Sequence, residues 1–278
     1  MAEPDGRAIG WTMQARGRVL IIAGSDSGGG AGIQANIKTV TALGGYAATA
    51  ITAVTVQNTL GVSAVHPIPA PVVTAQARAV LDDLGADAIK TGMLGDAAMV
   101  EAVAEVLAGA GLPAVIDPVM VAKGGASLLA PDATAAVRRR LVPLAALLTP
   151  NVLEAQALSG LQIASLDDQR RAGDALLAAG AKAVLMKGGH LPGAQVVDLL
   201  ITPGGETAFE AERSPGRHTH GTGCTLASAC AAGLAQGLGL TEAVARAWAY
   251  VQEAIARAPG FGAGHGPLDH GWPLRGRI

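Results

Sequence analysis

The stretch RVLIIAGSDSGGGAG, residues 18–32, decides the fold. After Arg18, residues 19–23 make a short, continuous apolar run, the pattern of a strand buried on both faces. The next nine hold five glycines and open onto a helix that runs to about residue 43. A buried strand, a glycine loop and a helix in that order begin a βαβ unit. The loop is not a P-loop, because no Lys-Ser/Thr pair follows its glycines. It is a poor dinucleotide fingerprint too. The glycine spacing is wrong, and residues 49–55, where an acidic ribose partner would fall, are neutral. Such glycines permit close backbone approach to a flat ligand or a flap.

Outward from this unit the same alternation continues. Strands are expected over 47–54, 62–67 (a candidate antiparallel strand), 88–91, 114–117, 146–149 and 183–186. Helices are expected over 70–84, 97–110, 132–141, 153–159, 166–179, 224–236 and 241–258. A hairpin over 195–202 and 206–211 turns at Pro203-Gly204-Gly205. Residues 1–17 read as a loose extension, 18–258 as one domain and 259–278 as a loose Gly- and Pro-rich tail. Met13 is a second possible start.

Half of the 278 residues are hydrophobic but only 3% are aromatic, so the core is Ala, Val, Leu and Ile. That composition suits a parallel sheet between helices, an α/β architecture. Net charge is −2 with no long basic stretch, which argues against nucleic acid as a partner. Arg138-Arg139-Arg140 reads as a solvated helix end. No apolar run reaches membrane-span length, and the first 17 residues resemble no signal peptide. The two cysteines, Cys224 and Cys230, are poorly spaced for a disulfide or a zinc site, so a reducing cytoplasm is expected.

The polar residues cluster where strands end: Gly24-Ser25-Asp26, Gln57-Asn58, Lys90-Thr91-Gly92, Asp117-Pro118, Thr149-Pro150-Asn151 and Lys187-Gly188-Gly189. In open parallel sheets ligands bind at that edge, so a cleft broad enough for two ligands is expected. The hexapeptide His220-Gly221-Thr222-Gly223-Cys224-Thr225 precedes a small-residue helix. Its glycines let successive N–H groups converge beside a positive helix end, an anion cradle. Alternatively it is a tight turn before a buried thiol. A helix N-terminus can lower the pKa of Cys224.

Asp117 and Glu154 are the best acidic candidates. Flanked by apolar residues, each needs a partner, and magnesium shared with substrate phosphates would be one. Glu154 could instead be a first-turn helix carboxylate. Lys187, between an apolar strand and two glycines, suits a phosphate contact, or else snorkels at the surface. His218 and His220 read as loop packing or solvent-facing.

Together these residues resemble the ribokinase-like superfamily, and within it the hydroxymethylpyrimidine/phosphomethylpyrimidine kinases of thiamine synthesis. The resemblance spans about residues 18–258. It rests on AGSDSGGGAG (23–32), IQANIK (33–38), VQNT (56–59), KTGMLG (90–95), DPVM (117–120), TPN (149–151), KGGH (187–190) and the hexapeptide. It implies a three-layer sandwich with a central, mostly parallel sheet, a homodimer, ATP as donor and magnesium as cofactor. By resemblance, Gly221, Thr222, Gly223 and Cys224 surround the transferring phosphoryl group, with Cys224 as the candidate base. Lys187, Asn151 and Thr222 would contact ATP, and Asp117 and Glu154 would lie near the metal. Gly24, Ala31, Asn36, Gln57, Met93 and Val119 would surround hydroxymethylpyrimidine. The Gln57 amide offers a donor and an acceptor together, matching an aminopyrimidine edge.

Two positions stand out. Residue 36 is Asn where the family usually carries Asp. Residue 224 is Cys, as in the pyrimidine kinases, where the wider superfamily places Asp. A pyridoxal/pyridoxine kinase is the alternative activity. A non-catalytic nucleotide-binding module is disfavoured by the presence of Lys187, Asp117, Glu154 and Cys224. A dinucleotide-dependent oxidoreductase is disfavoured by the loop.

Overall fold

The computed structural model describes residues 17–120, 132–214 and 216–275. In chain order its strands are β1 (Arg18–Ala23), β2 (Tyr46–Ile51), β3 (Ala53–Asn58), β4 (Gly61–Pro67), β5 (Ala88–Thr91), β6 (Ala114–Ile116), β7 (Ala145–Leu148), β8 (Val184–Met186), β9 (Gln195–Thr202) and β10 (Gly205–Glu212). The helices are α1 (Gly32–Ala42), α2 (Ala70–Asp83), α3 (Ala97–Ala110), α4 (Ala133–Ala136), α5 (Val152–Ser159), α6 (Leu166–Ala178), α7 (Thr222–Ala235) and α8 (Leu240–Ala256).

Eight strands form one sheet in the order β10-β9-β8-β7-β6-β5-β1-β2. From β2 to β8 neighbours run parallel, while β9 and β10 are antiparallel. Because side chains alternate along a strand, each sheet face feeds its own core. Leu20, Ile22, Ile116 and Leu148 join Val73, Val103, Leu158 and Leu176 of α2, α3, α5 and α6. Val19, Ile21, Val115 and Leu147 join Val40, Ala229, Cys230 and Val251 of α1, α7 and α8. The result is the expected α/β sandwich of three layers. No described helix is long and apolar enough to cross a membrane.

Three expectations change. The strand expected over 47–54 breaks at Thr52 into β2 and β3. The Thr52 N–H donates to Ala23 O at 3.0 Å, and its hydroxyl donates to Met93 O at 2.6 Å. The chain then leaves the sheet, and β3 pairs antiparallel with β4 as a separate hairpin. The helix expected over 132–141 forms, but it is α-helical only through Ala136. It widens over Val137–Leu141, where the Val142 N–H reaches Val137 O just before Pro143.

The third concerns the tail from Pro259: residues 259–263 are exposed as expected, but residues 266–273 pack against the domain rather than lie loose. Leu268, Asp269 and His270 are buried, and Tyr250 Oη donates to His270 O at 2.7 Å. The His265 N–H meets Thr59 O at 2.8 Å, and the His220 N–H meets Gly266 O at 3.2 Å. Its glycines serve close approach. A Cβ on Gly264 would stand 2.1 Å from Thr59 O, and one on Gly266 would stand 2.4 Å from His218 Nδ1. Residues 1–16 and 276–278, parts of the expected extension and tail, lie outside the described residues.

Candidate active site

Parallel strands end on the same edge of the sheet, and there a cavity of about 950 Å³ opens. Gly24, Ala31, Gln57, Met93 and Val119 line one part of it. Asp117, Asn151, Glu154 and Lys187 line the centre, with residues 221–224 beside them. Five of the six polar clusters lie at ends of sheet strands. Gln57-Asn58 ends β3 instead, and the hairpin brings Gln57 over the cavity.

Asn36 does not line this cavity. Its helical register places it between Ile33 and Val40 on the buried face of α1, where neither amide atom has a hydrogen-bond partner. The resemblance to substrate-binding positions therefore does not carry over to residue 36 in this geometry.

The cradle is built by backbone. Gly221 holds φ +79°, and a Cβ on it would stand 1.8 Å from Gly30 O, so the two glycine loops touch with no room for a side chain. Helix α7 begins at Thr222 with no side-chain cap, and its first helical bond is Thr225 N–H to Gly221 O at 2.9 Å. The N–H groups of Thr222, Gly223 and Cys224 are thus left without helical acceptors. At Gly223 a Cβ would stand 3.0 Å from Lys187 Nζ.

Lys187 Nζ donates to Asp117 Oδ1 at 3.0 Å and lies 3.8 Å from Glu154 Oε2. Thr149 Oγ1 donates to Asp117 Oδ1 at 3.2 Å. A second ammonium, Lys90 Nζ, is fully buried 3.7 Å from Asp117 Oδ2 and makes no hydrogen bond. Burial pushes the Asp117 carboxyl up, but Lys187 and Lys90 outweigh it and hold the group below the usual carboxylate range. Burial and the Asp117 charge together push Glu154 up to about 7 against the pull of Lys187. Lys187 is held above its ordinary value, since Asp117 and Glu154 overcome its burial.

Asn151 and Glu154 form a capping box at the start of α5. Asn151 Oδ1 accepts the Glu154 N–H at 3.0 Å, and Glu154 Oε2 accepts the Asn151 N–H at 2.8 Å. The first-turn reading of Glu154 therefore holds. It caps a helix and faces the cavity. The expectation for Cys224 is reversed, because burial pushes its thiol up rather than the helix end pulling it down.

Several residues of the site went unread in the sequence. His220 takes the loop-packing alternative, buried with its Nε2 2.8 Å from Asp26 Oδ2, but the pairing itself was not read. A lone acidic residue inside a glycine loop was the available signal for Asp26. Lys90 carries one too, a charge inside a four-residue strand that is otherwise apolar or hydroxylic. At the far end, Val196, Asp198, Trp248, Val251 and Ile255 form a largely apolar slot. Asp198 accepts the Gly188 N–H at 2.8 Å, and burial pushes it up to about 6.

The phosphomethylpyrimidine kinase family pattern matches residues 26–269. A hydroxymethylpyrimidine/phosphomethylpyrimidine kinase of Streptomyces coelicolor is 52% identical over 256 residues, covering 92% of this chain and 95% of that protein. The phosphomethylpyrimidine kinase structure from Clostridium difficile shares 41% identity with a TM-score of 0.77, covering 86% of this chain and 99% of the other. A Staphylococcus aureus pyridoxal kinase in complex with AMP-PCP and pyridoxal superposes with a TM-score of 0.87 at 37% identity, covering 94% and 96%. Fold and sequence agree, and the chain belongs to the phosphomethylpyrimidine kinase family.

Proposed function

We propose that this enzyme transfers the γ-phosphoryl group of ATP to the hydroxymethyl oxygen of a hydroxymethylpyrimidine, and in a second turnover to the resulting monophosphate. The observation that carries this reading is one cavity that joins the Gln57 amide to the cradle and to Lys187. The alcohol oxygen bonds to the γ-phosphorus, the bond to the β,γ-bridging oxygen breaks, and ADP leaves. Such transfer asks mainly for alignment and charge neutralisation.

The residues meet both demands. Met93 and Val119 hold the ring by apolar contact, and Gln57 reads its edge. The N–H groups at the start of α7 face the phosphoryl oxygens, and Lys187 steadies the chain of phosphates. Asn151 and Thr222 border the same phosphates. The apolar slot beside Trp248 suits the adenine base. Cys224, in its thiolate form, receives the hydroxyl proton.

Two buried carboxylates make an oxygen-only donor set of the kind a hard divalent cation takes; Asp117 Oδ2 makes no hydrogen bond and lies 3.7 Å from Lys90 Nζ. Asp117 and Glu154 are the residues that would hold magnesium, which when bound supplies further charge neutralisation to the phosphates.

A homodimer is supported by the β3–β4 hairpin, which exposes Val54, Val56, Leu60 and Val65 on one small element. The free thiols of Cys224 and Cys230 suit a reducing cytoplasm. Pyridoxal is the second acceptor to weigh, because pyridoxal kinases share this fold at 37% identity.

The deciding experiment incubates the protein with ATP, magnesium and hydroxymethylpyrimidine and follows mono- and diphosphate by mass. Both products are expected. Phosphorylation of pyridoxine with no pyrimidine product would transfer the assignment to the vitamin B6 kinases. ADP release indifferent to any alcohol would make the chain a nucleotide-binding module.

A further inference from the structure

Asp26 is 1% exposed inside the glycine loop. Its carboxylate accepts the N–H groups of Gly28 at 2.8 Å, Gly30 at 3.1 Å and Ala31 at 2.8 Å, and Oδ2 lies 2.8 Å from His220 Nε2. Burial pushes this carboxyl up, yet His220 and the backbone donors outweigh it and keep the group ionised. An ionised carboxylate only accepts. His220 Nε2 therefore carries a hydrogen, in the neutral ring and in the cation alike.

The same nitrogen lies 3.1 Å from Gln57 Nε2. An amide NH2 has no lone pair to offer, so two donors face each other. The other arm of the amide repeats the conflict. Gln57 Oε1 lies 3.3 Å from Thr55 Oγ1, whose single hydrogen is engaged by Ser25 O at 2.8 Å. There two acceptors meet. Turning the amide by half a turn removes both clashes: its oxygen faces the His220 Nε2–H as the weaker arm of a bifurcated bond shared with Asp26, and its NH2 donates to Thr55. The two orientations fill nearly the same space, so hydrogen bonding alone chooses between them.

We propose that the Asp26–His220 pair and Thr55 fix the polarity of the Gln57 amide, carbonyl toward His220 and NH2 toward Thr55. The pocket thereby selects a heteroaromatic acceptor whose edge presents a donor and an acceptor in that order. This rests on the hydroxymethylpyrimidine reading, with Gln57 as the contact. Asp26, His220 and Thr55 are positioning residues for that contact. A 4-aminopyrimidine edge donates from its exocyclic amine to the carbonyl and accepts at its ring nitrogen from the NH2. In the 4-oxo counterpart the order is reversed, with a carbonyl acceptor beside a ring N–H. A freely turning amide would serve either ligand. A fixed one leaves the reversed ligand with two unmatched contacts.

The test compares kcat/KM for 4-amino- and 4-oxo-5-hydroxymethylpyrimidine in the native protein and in Thr55→Val, Thr55→Ser, His220→Asn and Gln57→Leu. The native enzyme is expected to prefer the amino compound by on the order of 10²-fold or more. Thr55→Val and His220→Asn should each shrink that preference to about tenfold or less, chiefly through KM, and Thr55→Ser should retain it. Gln57→Leu should abolish it. In the native protein, ¹⁵N spectra of labelled histidine should show His220 protonated at Nε2.

An unchanged preference in both Thr55→Val and His220→Asn overturns the proposal, as does a His220 bare at Nε2. Turnover of both pyrimidines without discrimination by the native enzyme overturns the proposal and spares the function. Turnover of neither overturns the function, and the proposal with it.

Discussion

Cys224 sits in the first turn of α7 where burial and the Asp117 charge raise its thiol, while Lys90, the Gly32 backbone and Lys187 pull the other way. The upward shift wins, so the thiol is neutral near pH 7, and its thiolate fraction grows about tenfold per pH unit below its pKa. A base of this kind makes kcat climb between pH 7 and 9. In Cys224→Ala the climb should vanish and kcat at pH 8 should fall about 10²-fold. Near-native turnover by that variant in a pH–rate series would end the base role. Glu154 offers a second test. Its folded pKa, about 7, lies above the unfolded value near 4.5. Its contribution to stability is therefore full below pH 4.5 and is lost as pH rises through 7. Glu154→Gln should be more stable than the native protein by about 1–3 kcal/mol at pH 8 and close to it at pH 5. Urea denaturation at the two pH values reads the difference, and equal midpoint gaps at both would refute it. The residues that carry charge chemistry were legible because Asp117, Glu154 and Lys187 stand out against apolar neighbours. Asn36 was not, because its place depends on helical register, and a polar residue at the spacing of Ile33 and Val40 looks the same in sequence whether it faces a ligand or a core.

At the scale of elements, the close seating of the two glycine loops is the feature most open to perturbation. Gly221→Ala places a Cβ against Gly30 O and forces a left-handed backbone on alanine. It should cost about 1–3 kcal/mol of stability and lower kcat at least tenfold. Chemical denaturation and steady-state rates test both, and native values for each would show that the loops can part freely. The strands of the main sheet were readable from short apolar runs between turns, since burial on both faces leaves little else. The split between β2 and β3 was not, because Thr52 turns the chain through bonds to Ala23 and Met93, partners 29 and 41 residues away in sequence. The segment from Pro259 misled for a different reason. Glycine allows looseness and close approach equally, and only the neighbours Thr59 and His218 show which was selected.

For the whole molecule, the hairpin and the cavity carry the expectations. Leu60 is 71% exposed and Val56 59% exposed on an otherwise small two-stranded sheet. Leu60→Asp combined with Val56→Lys should convert a dimer to monomers in analytical ultracentrifugation at micromolar concentration. A native protein already monomeric there would dispose of the homodimer. The cavity has a further consequence for kinetics. The residues proposed for acceptor, phosphoryl group and nucleotide share one continuous space on one edge of the sheet, and Cys224, half-buried, lines it. Donor and acceptor must then be resident together, and the phosphoryl group passes between them with no stop on the protein. Initial rates measured over a grid of both substrate concentrations should give intersecting reciprocal lines, never the parallel family of a ping-pong enzyme. Whichever substrate seats deeper will also govern the order in which the two products find their way out.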